Sequence, residues 1–238
     1  MTDTSVLEGE RAEPREKKIL PDDDLRFSFT ITYILLITTG TVTLVEALRT
    51  SNPLVRHVLN LETVISIIAG YFYSKFVANI SNKDYEINWN ELMRTRYTDW
   101  FITTPVMLLA FIIALSQQLH TKPLFSVYMV VVVLNAAMLY LGYLGDTGRI
   151  SRNAGLYGGY VPFLLMYGLI FMTMVYGRGI TFNYVLFGIY FVVWSLYGVV
   201  YSLKDPRKKN ILYNGLDLTA KCLVGLGLWF YFIHVFRT

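Results

Sequence analysis

Hydrophobic residues in this chain come in long unbroken runs rather than at the alternating or three-to-four spacing of a water-soluble fold. The runs fall at about 27–48, 58–80, 97–117, 124–145, 155–176, 182–203 and 211–236. Each is close to the roughly 20 residues a helix needs to cross the hydrocarbon core of a bilayer. The links between them are short and carry breakers: Asn52-Pro53, Gly145 to Gly148, Gly177 to Gly179, and Asp205-Pro206. Short links make consecutive helices antiparallel neighbours. The pattern predicts an all-α membrane protein, a seven-transmembrane-helix bundle, in which the longest link joins the second and third spans. Seven spans nearly exhaust 238 residues, leaving no room for a soluble module, and neither an internal repeat nor a low-complexity tract interrupts them.

Composition agrees. The chain is 54% hydrophobic and only 16% charged, too little polar material to coat a soluble globule of this size. The one sizeable polar tract is residues 1–26, where Glu10, Arg11, Glu13, Arg15, Glu16, Lys17, Lys18, Asp22, Asp23 and Asp24 mix both signs. It reads as a polar tail ahead of a domain at 27–238. It lacks the order of a cleavable signal, so the first span is expected to direct insertion. Cys222 is the sole cysteine, which excludes an intrachain disulfide and a cysteine-based metal site. No nucleic-acid partner is expected.

The basic residues bear on orientation. The N-terminus and the second, fourth and sixth links share one face, with Arg11, Arg15, Lys17, Lys18, Lys83, Arg94, Arg149, Arg152, Lys204, Arg207, Lys208 and Lys209. The other face has mainly Arg49, Arg56, Lys122, Arg178 and Arg237. The positive-inside rule therefore favours a cytoplasmic N-terminus.

An ionisable residue at membrane depth is costly and functional by default. Asp99 sits early in the third span. Asp217 and Lys221 lie one turn apart in the seventh, on one helix face, where the carboxylate can pair the amine. Glu46 closes the first span, Glu62 opens the second, and Lys75, near the far end of the second, is placed to snorkel to the interface. Two acids around one amine suggest a buried cation with its counterions; the plainer reading is a packing salt bridge between helices.

The third span reads Arg96-Tyr97-Thr98-Asp99-Trp100-Phe101-Ile102-Thr103-Thr104-Pro105, the seventh Leu216-Asp217-Leu218-Thr219-Ala220-Lys221, and the sixth contains Trp194-Ser195-Leu196-Tyr197. These segments, in these helices and in this order, closely resemble the signatures of the microbial (type 1) rhodopsins, and the resemblance covers nearly the whole chain. It implies an all-trans retinal bound to Lys221 as a protonated Schiff base, its charge balanced by Asp99 and Asp217. It further implies Asp99 as primary proton acceptor, Thr103 as the hydroxyl partner of that carboxylate, and Arg96 as the arginine closing the outward half of the path. Trp100 and Trp194 would sandwich the polyene, with Thr104, Met107, Met138, Gly142 and Tyr197 lining it and Tyr201 standing where many members have tryptophan. For Met107, Met138 and Tyr201 the residues alone indicate no more than core packing. An apolar Met107 implies green absorption. The family implies an N-terminus outside, against the charge count, and a homo-oligomer, trimer or pentamer, in the lipid bilayer.

Some positions depart from the family's proton pumps. The helix position that often carries the cytoplasmic proton donor is Ala110, and the sixth link lacks the glutamate pair that releases protons in some members, with Lys204, Arg207, Lys208 and Lys209 in its place, which speaks against early release. The histidine that partners the acceptor in proteorhodopsins is absent, its approximate position being Phe72. His57, His120 and His234 stand at helix ends, and the Asn79-Ile80-Ser81 sequon is too close to the bilayer to be modified. Glu62 is expected to face Ala110 and to cluster with Glu46 and Arg49 as a cytoplasmic gate or displaced donor, an arrangement similar to that in rhodopsins of giant viruses of algae and other protists. The plainer reading is that Glu62 caps the first turn of its helix. The function expected is a light-driven outward proton pump rather than an enzyme; the alternatives are a light-gated cation or proton channel and a photosensor.

Overall fold

The computed structural model describes residues 23–81, 87–119 and 125–235. Most of the polar tail, Lys83, Lys122, His120 and Arg237 lie outside the described residues, as does the side chain of His234. Helices α1 (Asp23–Arg49), α2 (Pro53–Ser81), α3 (Trp89–Gln118), α4 (Phe125–Asp146), α5 (Arg152–Met174) and α6 (Thr181–Tyr201) are followed by a seventh span made of α7 (Pro206–Asp217), a π-helical turn (Leu218–Leu223) and α8 (Val224–Val235). Among the described residues, seven stretches are long and apolar enough to cross a membrane and no strand occurs. This is an integral, multi-pass membrane protein.

The helices overrun the apolar runs that betray them. Hydropathy places the third span at 97, but α3 starts at Trp89, where the Asn88 side chain accepts from the Glu91 amide. It places the seventh at 211, but α7 starts at Pro206, with Asp205 capping the amides of Arg207 and Lys208. Likewise α1 opens at Asp23 and Asp24, inside the polar tract, where acids favour a helix N-terminus. Polar capping turns carry no hydropathy signal, although the backbone hydrogen bonds run through them. Lys75 is exposed, its ammonium 4.6 Å from the centre of the Tyr71 ring, and Asn79 and Ser81 fall in the last turn of α2.

Close packing is set by small residues. In α1 against α2, a Cβ on Gly40 would lie 3.3 Å from the Ser66 Cβ, and Thr43 and Thr63 hydroxyls meet at 2.8 Å. In α4 against α5, a Cβ on Gly155 would lie 3.0 Å from the Gly145 Cα and from the Leu141 carbonyl. The tight turn after α4 needs Gly148 at φ 72°, a conformation that costs glycine little.

The interior is two apolar clusters. One gathers Leu59, Phe111, Tyr167 and Tyr190 toward the face of the α1–α2 link. The other gathers Phe29, Tyr73, Trp100 and Tyr213 toward the face of the N-terminus. Met138 and Tyr197 pack against both. The buried charges Arg96, Asp99, Asp217 and Lys221 lie at this junction. A leucine at position 155 should force α4 and α5 apart, costing about 1–3 kcal/mol as overpacking does. Thermal denaturation of Gly155→Leu checks this, an unshifted transition being the contrary result.

Candidate functional site

Arg96 and Asp99 stand one turn apart on α3. Asp217 ends α7, and Lys221 follows it in the π-helical turn, a wide turn of a kind often found at functional positions. All four are fully or almost fully buried. The Lys221 Nζ donates to Asp99 Oδ2 at 2.7 Å and lies 3.9 Å from Asp217 Oδ2. Arg96 Nη1 meets Asp217 Oδ2 at 3.2 Å. Two cations thus face two anions, so the layer is neutral as a whole.

The two carboxylates differ in how they are held. Asp217 Oδ1 accepts from Trp100 Nε1 at 3.1 Å and from the Tyr197 hydroxyl at 2.7 Å. Its Oδ2 accepts from the Tyr73 hydroxyl at 2.8 Å as well as from Arg96. Four donors therefore hold Asp217 as an anion. Asp99 has the Lys221 amine and one weaker neighbour, the Thr103 hydroxyl, at 3.3 Å from Oδ1; that hydroxyl also lies 2.8 Å from the Asp99 carbonyl. Asp99 is therefore the less occupied of the two carboxylates. Arg96 is anchored further by its Nη2, which donates to Asn214 at 2.7 Å and Asn210 at 3.2 Å.

Beyond the Lys221 amine runs a channel of about 400 Å³ lined by Trp100, Thr104, Met107, Met138, Trp194 and Tyr197. It shares Trp100, Met138, Trp194 and Tyr197 with an adjoining hollow of about 500 Å³ that reaches Gly142, Gly155 and Tyr201. The Thr104 hydroxyl accepts from Asn135 Nδ2 at 2.8 Å, so the polar atom on this wall is already partnered. An apolar, aromatic channel that begins at a buried primary amine fits a long polyene aldehyde. Every pocket residue expected from the sequence lines one of the two hollows.

Glu46 pairs with Arg49 at 3.2 Å at the end of α1, Arg49 being mostly exposed. Glu62 is buried and turns to the seventh span, where a Cβ on Gly225 would lie 2.7 Å from its Oε2 and 3.8 Å from Thr39 Cγ2. Gly225 is one turn past Lys221, so Glu62 lies on the opposite side of the amine from Asp217 and Arg96. Ala110 is buried, and His57 is exposed near the start of α2. The sequence alone assigns no role to Tyr73, Asn210 or Asn214. The spacing of Asn210, Asn214, Asp217 and Lys221 at helical intervals was the signal for the two asparagines.

The chain belongs to the bacteriorhodopsin-like family, whose model matches residues 24–235. That family implies a retinal chromophore, and the Lys221 channel suits one. Viral rhodopsin OLPVRII is similar at 40% identity over 90% of this chain and 99% of that one, with a TM-score of 0.83. Acetabularia rhodopsin I (17% identity, 93% of this chain and 100% of that one, TM-score 0.75) and the light-driven proton pump of Coccomyxa subellipsoidea (23%, 87% and 96%, 0.71) share the fold. No curated protein sequence matches the chain.

Removing an acceptor from the buried guanidinium should be costly. Asn214→Leu takes away the shortest hydrogen bond of Arg96, a charged partner, and should lower stability by about 1.5–3 kcal/mol. An unchanged thermal transition would show that Asn210 and Asp217 suffice.

Proposed function

We propose that this protein holds an all-trans retinal on Lys221 and is a light-driven proton pump that moves protons toward the face of the N-terminus, which is the outer face. The observation that carries the reading is the asymmetry about the Lys221 nitrogen. On one side Asp99 lies 2.7 Å away, and on the other the buried Glu62 sits against Gly225. Retinal, when bound, supplies a light-driven change of shape at that nitrogen.

The residues do the rest. Asp99 takes the proton because it is within direct transfer distance and its oxygens are less occupied than those of Asp217. Asp217, held by four donors, stays as the fixed anion opposite Arg96. Glu62 returns a proton from the far side, so loss and return occur on opposite sides and transport is vectorial. Thr39, Glu62 and Gly225 meet across α1, α2 and α8, which supports Glu62 as the source of the returning proton, since the Ala110 position has no acid. Solved neighbours include the proton-pumping Acetabularia rhodopsin AR2 and the Coccomyxa pump.

Three measurements check this. Retinal should give the protein a visible band that Lys221→Ala abolishes; a band surviving that substitution would refute the attachment. Under voltage clamp the light-driven current should keep its sign at all voltages, whereas a current that reverses near the equilibrium potential would make the protein a channel with Glu62 as part of its gate. Glu62→Gln should slow return of the proton to the Lys221 nitrogen by ~100-fold, within the usual range for losing a general acid. Unchanged kinetics would leave Glu62 as only a helix-end charge.

A further inference from the structure

The hollow beyond the Lys221 channel contains a hydroxyl that its surroundings do not satisfy. Tyr201, in the last turn of α6, is 5% exposed, and its Oη has no hydrogen-bond partner among the described residues. Glycines make room for it. A Cβ on Gly145 of α4 or on Gly155 of α5 would overlap the hydroxyl. Gly155 and Tyr201 both line the hollow, so the hydroxyl stands at its wall, where α4, α5 and α6 meet. A buried donor left unmatched is costly and calls for an explanation.

The polar groups around it are committed elsewhere. Tyr97 donates to Asp146 at 3.0 Å, Tyr160 to the Ser195 carbonyl at 3.1 Å, and Tyr197 to Asp217 at 2.7 Å. The Lys209 ammonium lies 4.7 Å from the centre of the Tyr201 ring, so it meets the ring and not the oxygen. That ammonium donates to Asp146 at 2.5 Å, in a pair of nearly buried side chains. A trapped water is held by two to four polar partners, and here Tyr201 is the free one. The hollow asks for a ligand that brings its own acceptor.

We propose that this hollow selects a retinal with an oxygen on its ring, a hydroxyl or a ketone, and that Tyr201 donates the hydrogen bond that recognises it. The inference rests on the attachment of retinal to Lys221. Lys221 lines the channel and not the hollow, so an aldehyde joined to the amine leads its far end, the ring, into the hollow. Gly142, Gly155, Gly159 and Gly198 line that space, leaving room beyond a bare ring for a substituent. The ring of plain retinal is hydrocarbon and would seal the Tyr201 hydroxyl off from water without satisfying it. An oxygen on the ring satisfies the hydroxyl and loses little, because its own partner in water is replaced. A site with a buried donor discriminates against the ligand that lacks the acceptor.

The test is a competition for the full chain in lipid vesicles, loaded from an equimolar mixture of all-trans retinal and all-trans 4-oxoretinal. The bound aldehydes are released with hydroxylamine and the two oximes are counted. The wild-type protein should take up the oxo form in about 10-fold excess, the worth of one hydrogen bond. Tyr201→Phe, which removes only the hydroxyl, should bring the ratio to about one. Infrared spectra of the wild-type protein loaded with 4-oxoretinal alone give a second reading that needs no variant. The stretch of the ring ketone should lie below its value in a hydrocarbon solvent. Equal uptake by the wild-type protein, an excess that survives Tyr201→Phe, or a ketone stretch at its hydrocarbon value overturns the proposal. Failure of the attachment reads differently: a visible band that persists in Lys221→Ala, or no band with either aldehyde, refutes retinal on Lys221, whereas a Lys221-dependent band with equal uptake refutes this inference alone.

Discussion

Four charged side chains, Arg96, Asp99, Asp217 and Lys221, are buried together at membrane depth, and the bundle is organised around keeping them neutral as a set. Taking a single charge out of water costs several kcal/mol even after relaxation, and breaking one partner from a buried pair leaves the other uncompensated. Two come from α3 and two from the seventh span, so these helices must lie side by side in one register for any of the four to be tolerated. The aromatic residues follow from that register. Tyr73, Trp100 and Tyr197 reach Asp217 from α2, α3 and α6 and tie those helices to the layer.

Neutrality of the whole does not mean symmetry of the parts. Asp217 is saturated with donors and Asp99 is not. The surroundings of the layer are asymmetric as well. Toward the N-terminal face lie Arg96, two asparagines and the Asp146–Lys209 pair, a chain of charged and polar groups. Toward the other face lies Glu62, against Gly225 and beside an apolar cluster containing Phe111 and Tyr190. Lys221 thus has charged and polar groups on one side and a mostly apolar cluster with one buried acid on the other.

Much of this was legible in order along the chain. Run length gives the spans, since the bilayer demands apolar residues over a fixed distance and the backbone must satisfy its own hydrogen bonds there. The turn residues Gly148 and Asp205 mark boundaries by local conformation and capping. Rarity makes Asp99, Asp217 and Lys221 conspicuous, because so few ionisable residues are tolerated at that depth. Their spacing, with Asn210 and Asn214, puts a polar stripe on one face of the seventh span.

What the sequence determined by itself is everything that depends on neighbours in the chain: seven helices, their polar faces, the lysine and the two acids. What only the tertiary structure decided depends on which helix faces which. Lys209 looks like a surface charge until α4 brings Asp146 to it. Glu62 looks like a helix-end charge until the packing of α2 on α8 brings it to Gly225. The two aspartates look equivalent until three other helices supply Asp217 with its donors. Each of these outcomes is a contact between residues far apart in sequence, fixed by helix register and by the demand that buried charge find a partner, and neither composition nor spacing along the chain contains it.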